Sequence, residues 1–303
     1  MSFFTKRILT AVLLIVAVIG IGVFAFVGLS KKPSEIPPAV TPRSSEPTEE
    51  VIGQSVEGRA ITAYTYGAGK TRLLFVGGVH GGYEWNSVLL AYQVMDYLAA
   101  NLEVIPKNLS LTIIPSANPD GVYTVTGKEG RFAITDVATD KEVLASGRFN
   151  ANTVDLNRNF DCKWKPKSTW QQKIVSAGNA PFSEPEAAAI RDFALTNKPA
   201  AVIFWHSKSN AVYASECEKG ILPETLDIMN AYANAAGYPS VNSFSAYAIT
   251  GDAEGWLASI GIPAITVELS THETIEWEKN LAGVKALFDY YGKRAEKETA
   301  KSE

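Results

Sequence analysis

The distribution of hydrophobic and polar positions along this chain predicts an apolar N-terminal segment followed by an α/β domain. Residues 8–30 carry no charge, and Ile8 to Leu29 form a nearly continuous apolar run of 22 residues. As a helix that run spans roughly 33 Å, enough to cross a hydrocarbon core of about 30 Å. Lys6 and Arg7 precede it, so the positive-inside bias puts Met1 in the cytoplasm and the rest of the chain outside. The apolar core of a signal peptide is usually only about 7–15 residues long. Residues 1–30 are therefore expected to be a short cytoplasmic N-terminus and one transmembrane helix, with a cleaved signal and a secreted product as the alternative. Residues 31–50 hold five of the fifteen prolines among Ser, Thr and Glu, a composition that reads as a semi-extended linker.

A folded domain is expected over residues 51–293, with a charged tail at 294–303. Alternation in Arg59–Tyr66 and then Leu73–Val79 predicts two strands joined by a turn at Gly67–Lys70. Leu109–Pro115, Ala200–Trp205 and Ala264–Leu269 are short apolar runs of the kind that form buried central strands. Helical spacing covers Trp85–Ala100, Pro223–Ala236 and Glu273–Tyr291. It also covers Ser183–Thr196, where Ser183 and Glu186 fit a capping box. Strands alternating with helices predict a twisted, largely parallel sheet covered on both faces, with functional groups gathered beyond the carboxyl ends of its strands.

Composition narrows the chemistry. The formal net charge is −4, and the 23 basic and 28 acidic side chains beyond residue 50 leave the domain mildly acidic, so nothing points to nucleic acid. Two cysteines in 303 residues exclude a disulfide-stapled scaffold and a Cys-rich zinc module. Histidine chemistry must come from His80, His206 and His272. His80 ends one predicted strand, His206 ends another, and Glu268 lies at or near the end of a third. Two imidazoles and a carboxylate are the ligand set of a catalytic zinc site, which polarises a carbonyl and lowers the pKa of water towards about 7. A carboxylate that does not bind the metal would serve as base, and Glu268 is free for that. Taken one at a time, each of these histidines reads more readily as a strand-end residue satisfying backbone groups.

Seven segments in order change that balance: GGVHGGYEWN, SANPDGVY, NANTVDLNRNF, APFSEPEA, FWHS, YAITGDAEGW and TVEL. From about Ile52 to Tyr291 the chain resembles a zinc carboxypeptidase of the M14 family. The resemblance implies a three-layer α/β/α sandwich around a mixed, mostly parallel sheet of about eight strands, holding one zinc ion. By position, His80, Glu84 and His206 resemble the zinc ligands and Glu268 the general base. Asn157 and Arg158 match the pair that holds a substrate's terminal carboxylate, and guanidinium suits that group through bidentate hydrogen bonds. Arg148 matches the arginine that steadies the oxyanion, with Arg131 the weaker candidate. Tyr247 resembles the mobile tyrosine that closes over the substrate.

Two departures stand out. The family usually has two residues between the first His and the Glu, whereas here Gly81, Gly82 and Tyr83 intervene, an insertion two glycines can absorb. In the segment facing the side-chain pocket, Asp252 and Glu254 would favour a cationic side chain, unless both are solvated loop carboxylates. Asp120 and Asp155 read as turn and sheet-edge residues, Glu184 and Glu186 as first-turn helix residues, and His272 as a loop residue without a family counterpart. Cys162 and Cys217 either form a disulfide closing 55 residues or remain buried thiols. The expected function is an extracytoplasmic, membrane-tethered zinc metallocarboxypeptidase acting on peptides. Alternatives are a peptidase of murein stem peptides containing diaminopimelate, an N-acyl amino acid deacylase, and an inactive peptide-binding module displayed on the membrane.

Overall fold

The computed structural model describes residues 46–302. The apolar run Ile8–Leu29 and the linker as far as residue 45 lie outside the described residues, and among the described residues no helix is long and apolar enough to cross a membrane. The strands are β1 (Thr48–Gln54), β2 (Ala60–Gly67), β3 (Thr71–Val76), β4 (Leu109–Ile114), β5 (Lys167–Trp170), β6 (Lys173–Ser176), β7 (Ala201–Ser207), β8 (Ala211–Ala214), β9 (Glu216–Cys217), β10 (Gly220–Ile221), β11 (Ser240–Val241) and β12 (Ala264–Leu269). The α-helices are α1 (Trp85–Ala100), α2 (Pro119–Thr126), α3 (Lys141–Ser146), α4 (Pro185–Asn197), α5 (Pro223–Ala236), α6 (Ala253–Ser259) and α7 (Trp277–Ser302).

Eight strands form one mixed sheet in the order β1-β2-β4-β3-β7-β12-β8-β11. The four pairings β4/β3, β3/β7, β7/β12 and β8/β11 are parallel, and the other three are antiparallel. The turn after Gly67 does join β2 to β3, but the two do not pair, because β4 lies between them. β1 begins at Thr48, where Thr48, Glu49 and Glu50 pair with Thr65, Tyr64 and Ala63, so the fold starts three residues before the expected linker ends. The last helix begins at Trp277 and continues through the expected tail to Ser302. The capping box at Ser183 does not form. Ser183 instead donates to Glu184, the N-cap of α4, and Glu186 accepts from the backbone of Val56 and the side chain of Asn150.

Strand alternation sorts the core into two layers, which is the physical origin of the sandwich. Leu73, Phe75, Ile203, Trp205, Ile265 and Val267 face α1, α5 and α7. Leu74, Val76, Val202, Phe204 and Ala264 face α4 and α6. The period of two then carries His206, after Val202 and Phe204, to the α4/α6 side of β7. The parallel register pairs Glu268 of β12 with His206, so the same period brings Glu268 to that side as well. Trp205 anchors the opposite layer, edge-on to Phe75 at 5.1 Å and donating its Nε1–H to the Tyr232 hydroxyl.

Candidate active site

His80 follows β3 and leads into the 3-10 turn Gly81–Glu84, which aims Glu84 back towards the end of β7. The extra residue in this loop fits because of its glycines. Gly81 has φ +48°, and a Cβ there would lie 2.4 Å from the Gly147 carbonyl oxygen, while a Cβ at Gly82 would lie 2.5 Å from the Val125 side chain. With the loop packed this closely against the 121–147 region, Glu84 reaches His206. Its Oε2 is 3.0 Å from His206 Nδ1 and accepts the Ser207 N–H at 3.2 Å.

His80, Glu84 and His206 are all buried, and each offers a ligand atom within 4.8 Å of the others. Behind each imidazole stands a carboxylate. His206 Nε2 lies 3.2 Å from Glu254 Oε1, which also accepts from Thr266 Oγ1. His80 Nδ1 lies 3.4 Å from Asp155 Oδ1, and the other Asp155 oxygen accepts from Arg148 Nε at 2.9 Å. Outer carboxylates of this kind fix the tautomer and orientation of ligating histidines. His80 Nδ1, Asp155 Oδ1 and His206 Nε2 are buried without a well-aligned hydrogen bond. The donor set therefore fits one zinc ion: two nitrogens and an oxygen converge, and buried anionic charge surrounds them.

The titration of these groups follows their surroundings. Burial, reinforced by Arg148, lowers the His80 pKa to about 4 and keeps that ring neutral, the form a ligand needs. Burial works against a charged His206, but Glu84 and Glu254 outweigh it and raise its pKa well above the usual value. Burial alone would raise Glu84; His80, His206 and Arg148 bring it down to about 2. Glu268 goes the other way. Burial, with Glu84 adding repulsion, pushes it up to about 7, although its Oε2 accepts the Ser209 N–H. A carboxylate poised near neutrality suits a general base.

Asn157 and Arg158 lie on the 3-10 turn Leu156–Arg158. The Asn157 side-chain oxygen accepts the Ala253 N–H at 2.8 Å, so its amide hydrogens remain as donors. The Arg158 guanidinium is steered by the carbonyls of Asn157 and Thr169. Arg148 stacks on Trp170 at 4.6 Å, which leaves guanidinium edge beyond the bond to Asp155. Arg131, by contrast, is spent on Asp96 and Tyr92 on the outer side of α1. Cys162 and Cys217 form a disulfide, and backbone bonds from Gly251 to Cys162 and from Phe160 to Gly251 tie the Arg158 turn to the start of α6.

The His80–Glu84–His206 donor set, Glu268, Arg148, Asn157 and Arg158 line one cavity of about 860 Å³, together with half-buried Tyr247, whose ring rests on Phe244 at 4.9 Å. Asp252 caps α6 through Gly255, and burial beside Glu254 raises its pKa to about 6. Glu254 does not stand free to meet a substrate side chain, because His206 and Thr266 engage it. Asp155 is no sheet-edge residue but the fully buried partner of His80 and Arg148. His272 is more than loop: its ring meets Tyr83 at 4.6 Å and its Nδ1 lies 2.7 Å from Ser207 Oγ.

The profile of the zinc carboxypeptidase family matches residues 43–293. The chain is 25% identical over 240 residues to gamma-D-glutamyl-L-diamino acid endopeptidase 1 of Lysinibacillus sphaericus, covering 73% of this chain and 60% of that protein. It is 26% identical to bovine (Bos taurus) carboxypeptidase O over 55% of this chain and 47% of the other. It thus spans roughly half to three fifths of the length of these curated relatives. Among solved structures, thrombin activatable fibrinolysis inhibitor superposes with a TM-score of 0.64 at 21% identity, covering 83% and 70% of the two chains. Murein-tripeptide amidase MpaA from Escherichia coli O157 superposes at 0.57 with 23% identity, covering 80% and 92%.

Proposed function

This chain belongs to the zinc carboxypeptidase family, and on that premise we propose that it hydrolyses the last peptide bond of substrates bearing a free terminal carboxylate, outside the cytoplasm. The observation that carries the reading is a single cavity in which the His80–Glu84–His206 donor set, Glu268 in register with His206, and Arg158 with Asn157 all meet. When bound, the zinc ion polarises the scissile carbonyl and makes water more acidic. Arg158 and the Asn157 amide hold the terminal carboxylate and so fix which bond lies at the reacting centre. Glu268 removes a proton from water and returns it to the departing amine. Arg148, held by Asp155 through Nε and facing Glu84 through Nη1, offers guanidinium N–H groups to the oxygen on which charge develops. Asp252, the acid left after Glu254 is committed, supports a preference for a cationic terminal side chain.

The names of two relatives favour a second reading within the same chemistry, a murein stem peptide as substrate. Diaminopimelate carries both a carboxylate for Arg158 and an ammonium for Asp252. The disulfide supports an oxidising compartment, as does the apolar run at Ile8–Leu29 for a tethered form. The test is mass-spectrometric analysis of zinc-loaded protein with peptides ending in Lys, Arg, Phe or Glu and with a diaminopimelate muropeptide. Release of Lys or Arg from ordinary peptides supports the first reading, and cleavage of the muropeptide alone supports the second. No cleavage of any of them, with zinc bound, overturns both and turns attention to acylated amino acids.

A further inference from the structure

His272 lies within the cavity wall in a setting that fixes its protons. Asn86 is fully buried, and its amide nitrogen donates to two carbonyls, those of Thr271 and Thr274. Its side-chain oxygen must therefore accept, and Ser207 Oγ–H donates to it at 3.0 Å. With the only hydroxyl proton used, Ser207 Oγ can only accept from His272 Nδ1 at 2.7 Å, so Nδ1 carries the hydrogen. Burial lowers the His272 pKa, which keeps the ring neutral. Nε2 is then a bare acceptor. No group among the described residues hydrogen-bonds it, and His272 lines the cavity. The ring is held on three sides: by Ser207, by Tyr83, and by the clamp of Asn86 on the 271–274 turn.

Its place in the cavity limits what it can meet. Tyr83 and Ser207 adjoin the ligands Glu84 and His206. The charges His272 senses are Glu84, Lys208, Arg148 and Glu273, whereas Asp252 senses Glu254 and Arg158. Through Ser207, next to His206, and Tyr83, next to Glu84, His272 borders the metal-ligand end of the cavity.

We propose that His272 Nε2 accepts a hydrogen bond from the backbone amide N–H of the substrate residue that supplies the scissile carbonyl. The proposal rests on the hydrolase reading for the direction of the substrate. It makes His272 a substrate-binding residue that recognises a backbone N–H beside the reacting centre.

The test uses full-length, zinc-loaded protein and a pair of acetylated tripeptides, one N-methylated at that amide. Calorimetry gives their affinities for wild type and for His272→Phe, which keeps a ring beside Tyr83, with His272→Ala as a second variant should Phe not fit. Wild type is expected to bind the N–H peptide about tenfold more tightly than its methylated analogue, as loss of one hydrogen bond in a closed site predicts. In the variants that ratio falls to about one while zinc content is unchanged. An equal ratio in wild type and variants overturns the proposal, as does failure of wild type to bind either peptide. Hydrolysis is scored separately. If neither peptide is cleaved, the carboxypeptidase reading fails, while the binding ratio still decides the role of His272.

Discussion

The most discriminating substitution is Glu254→Gln. The carboxylate sits 3.2 Å from His206 Nε2 and 3.1 Å from Thr266 Oγ1, buried to 3% exposure. Gln keeps the shape and an acceptor oxygen, so what is removed is the negative charge behind the ligand. Two unit charges about 4 Å apart interact by about 4 kcal/mol at an effective dielectric constant near 20. A metal-bound imidazole carries only part of a unit charge, which scales the loss to about 1–3 kcal/mol. That range agrees with the roughly 10–100-fold in metal affinity usual for the outer partners of ligating histidines. Zinc affinity is measured by competition with a chromophoric chelator at pH 7.5, and the ratio of Lys to Phe release is read on the same preparations. A 10–100-fold weaker zinc affinity with an unchanged ratio is expected. An unchanged zinc affinity with loss of the Lys preference would falsify the assignment and return Glu254 to the side-chain pocket.

Three further outcomes follow from the same geometry. Glu268→Gln should lower kcat by roughly 10²–10⁴ while zinc binds with full stoichiometry by atomic absorption; activity near wild type would mean that another group serves as base. Arg148 and His80 hold the buried Asp155 carboxylate well below its ordinary pKa even though burial opposes this. Its contribution to stability is therefore full above the unfolded value of about 3.9 and drains away as pH falls towards the folded one. In urea titrations from pH 6 to 3 of metal-free protein, Asp155→Asn should be less stable at pH 6 and show a shallower acid slope, whereas parallel slopes would contradict this account. Replacing Cys162 and Cys217 together by Ser should cost about 4 kcal/mol, the chain-entropy value for closing 55 residues, and an unchanged urea midpoint would count against it.

The fold was legible where burial imposes a pattern. The apolar runs of β4, β7 and β12 and the helices α1 and α5 stand where the sequence places them, because a strand or helix covered by a core must display its period. The order of strands was not legible around β2, since the turn after Gly67 looks the same whether its strands pair or admit β4 between them. The β5–β6 hairpin was hidden for a different reason: it packs mainly on its Ser168, Trp170 and Val175 side and leaves lysines outside. At the site, the donor residues and Glu268 emerge through their ordered segments. Asp155 and Glu254 do not disclose their partners, because a loop carboxylate reads alike whether it meets water or an imidazole. His272 depends on Asn86 and Ser207, residues 186 and 65 positions away, and such a relation exists only once the chain is folded.

The register of β7 with β12 places the proposed base beside a metal ligand on neighbouring backbones, a separation set by the interstrand spacing of about 4.8 Å. No side-chain rotation or loop closure determines it. The backbone separation of Glu268 and His206 is thus a property of the central ladder. Heating should divide function in two: substrate selection, which depends on the Tyr247 segment and the 271–274 turn, is free to degrade early. The Glu268–His206 pairing should persist until β7 and β12 part, in the same transition that unfolds the domain, whereas His80 and Glu84 depend as well on the loop after β3.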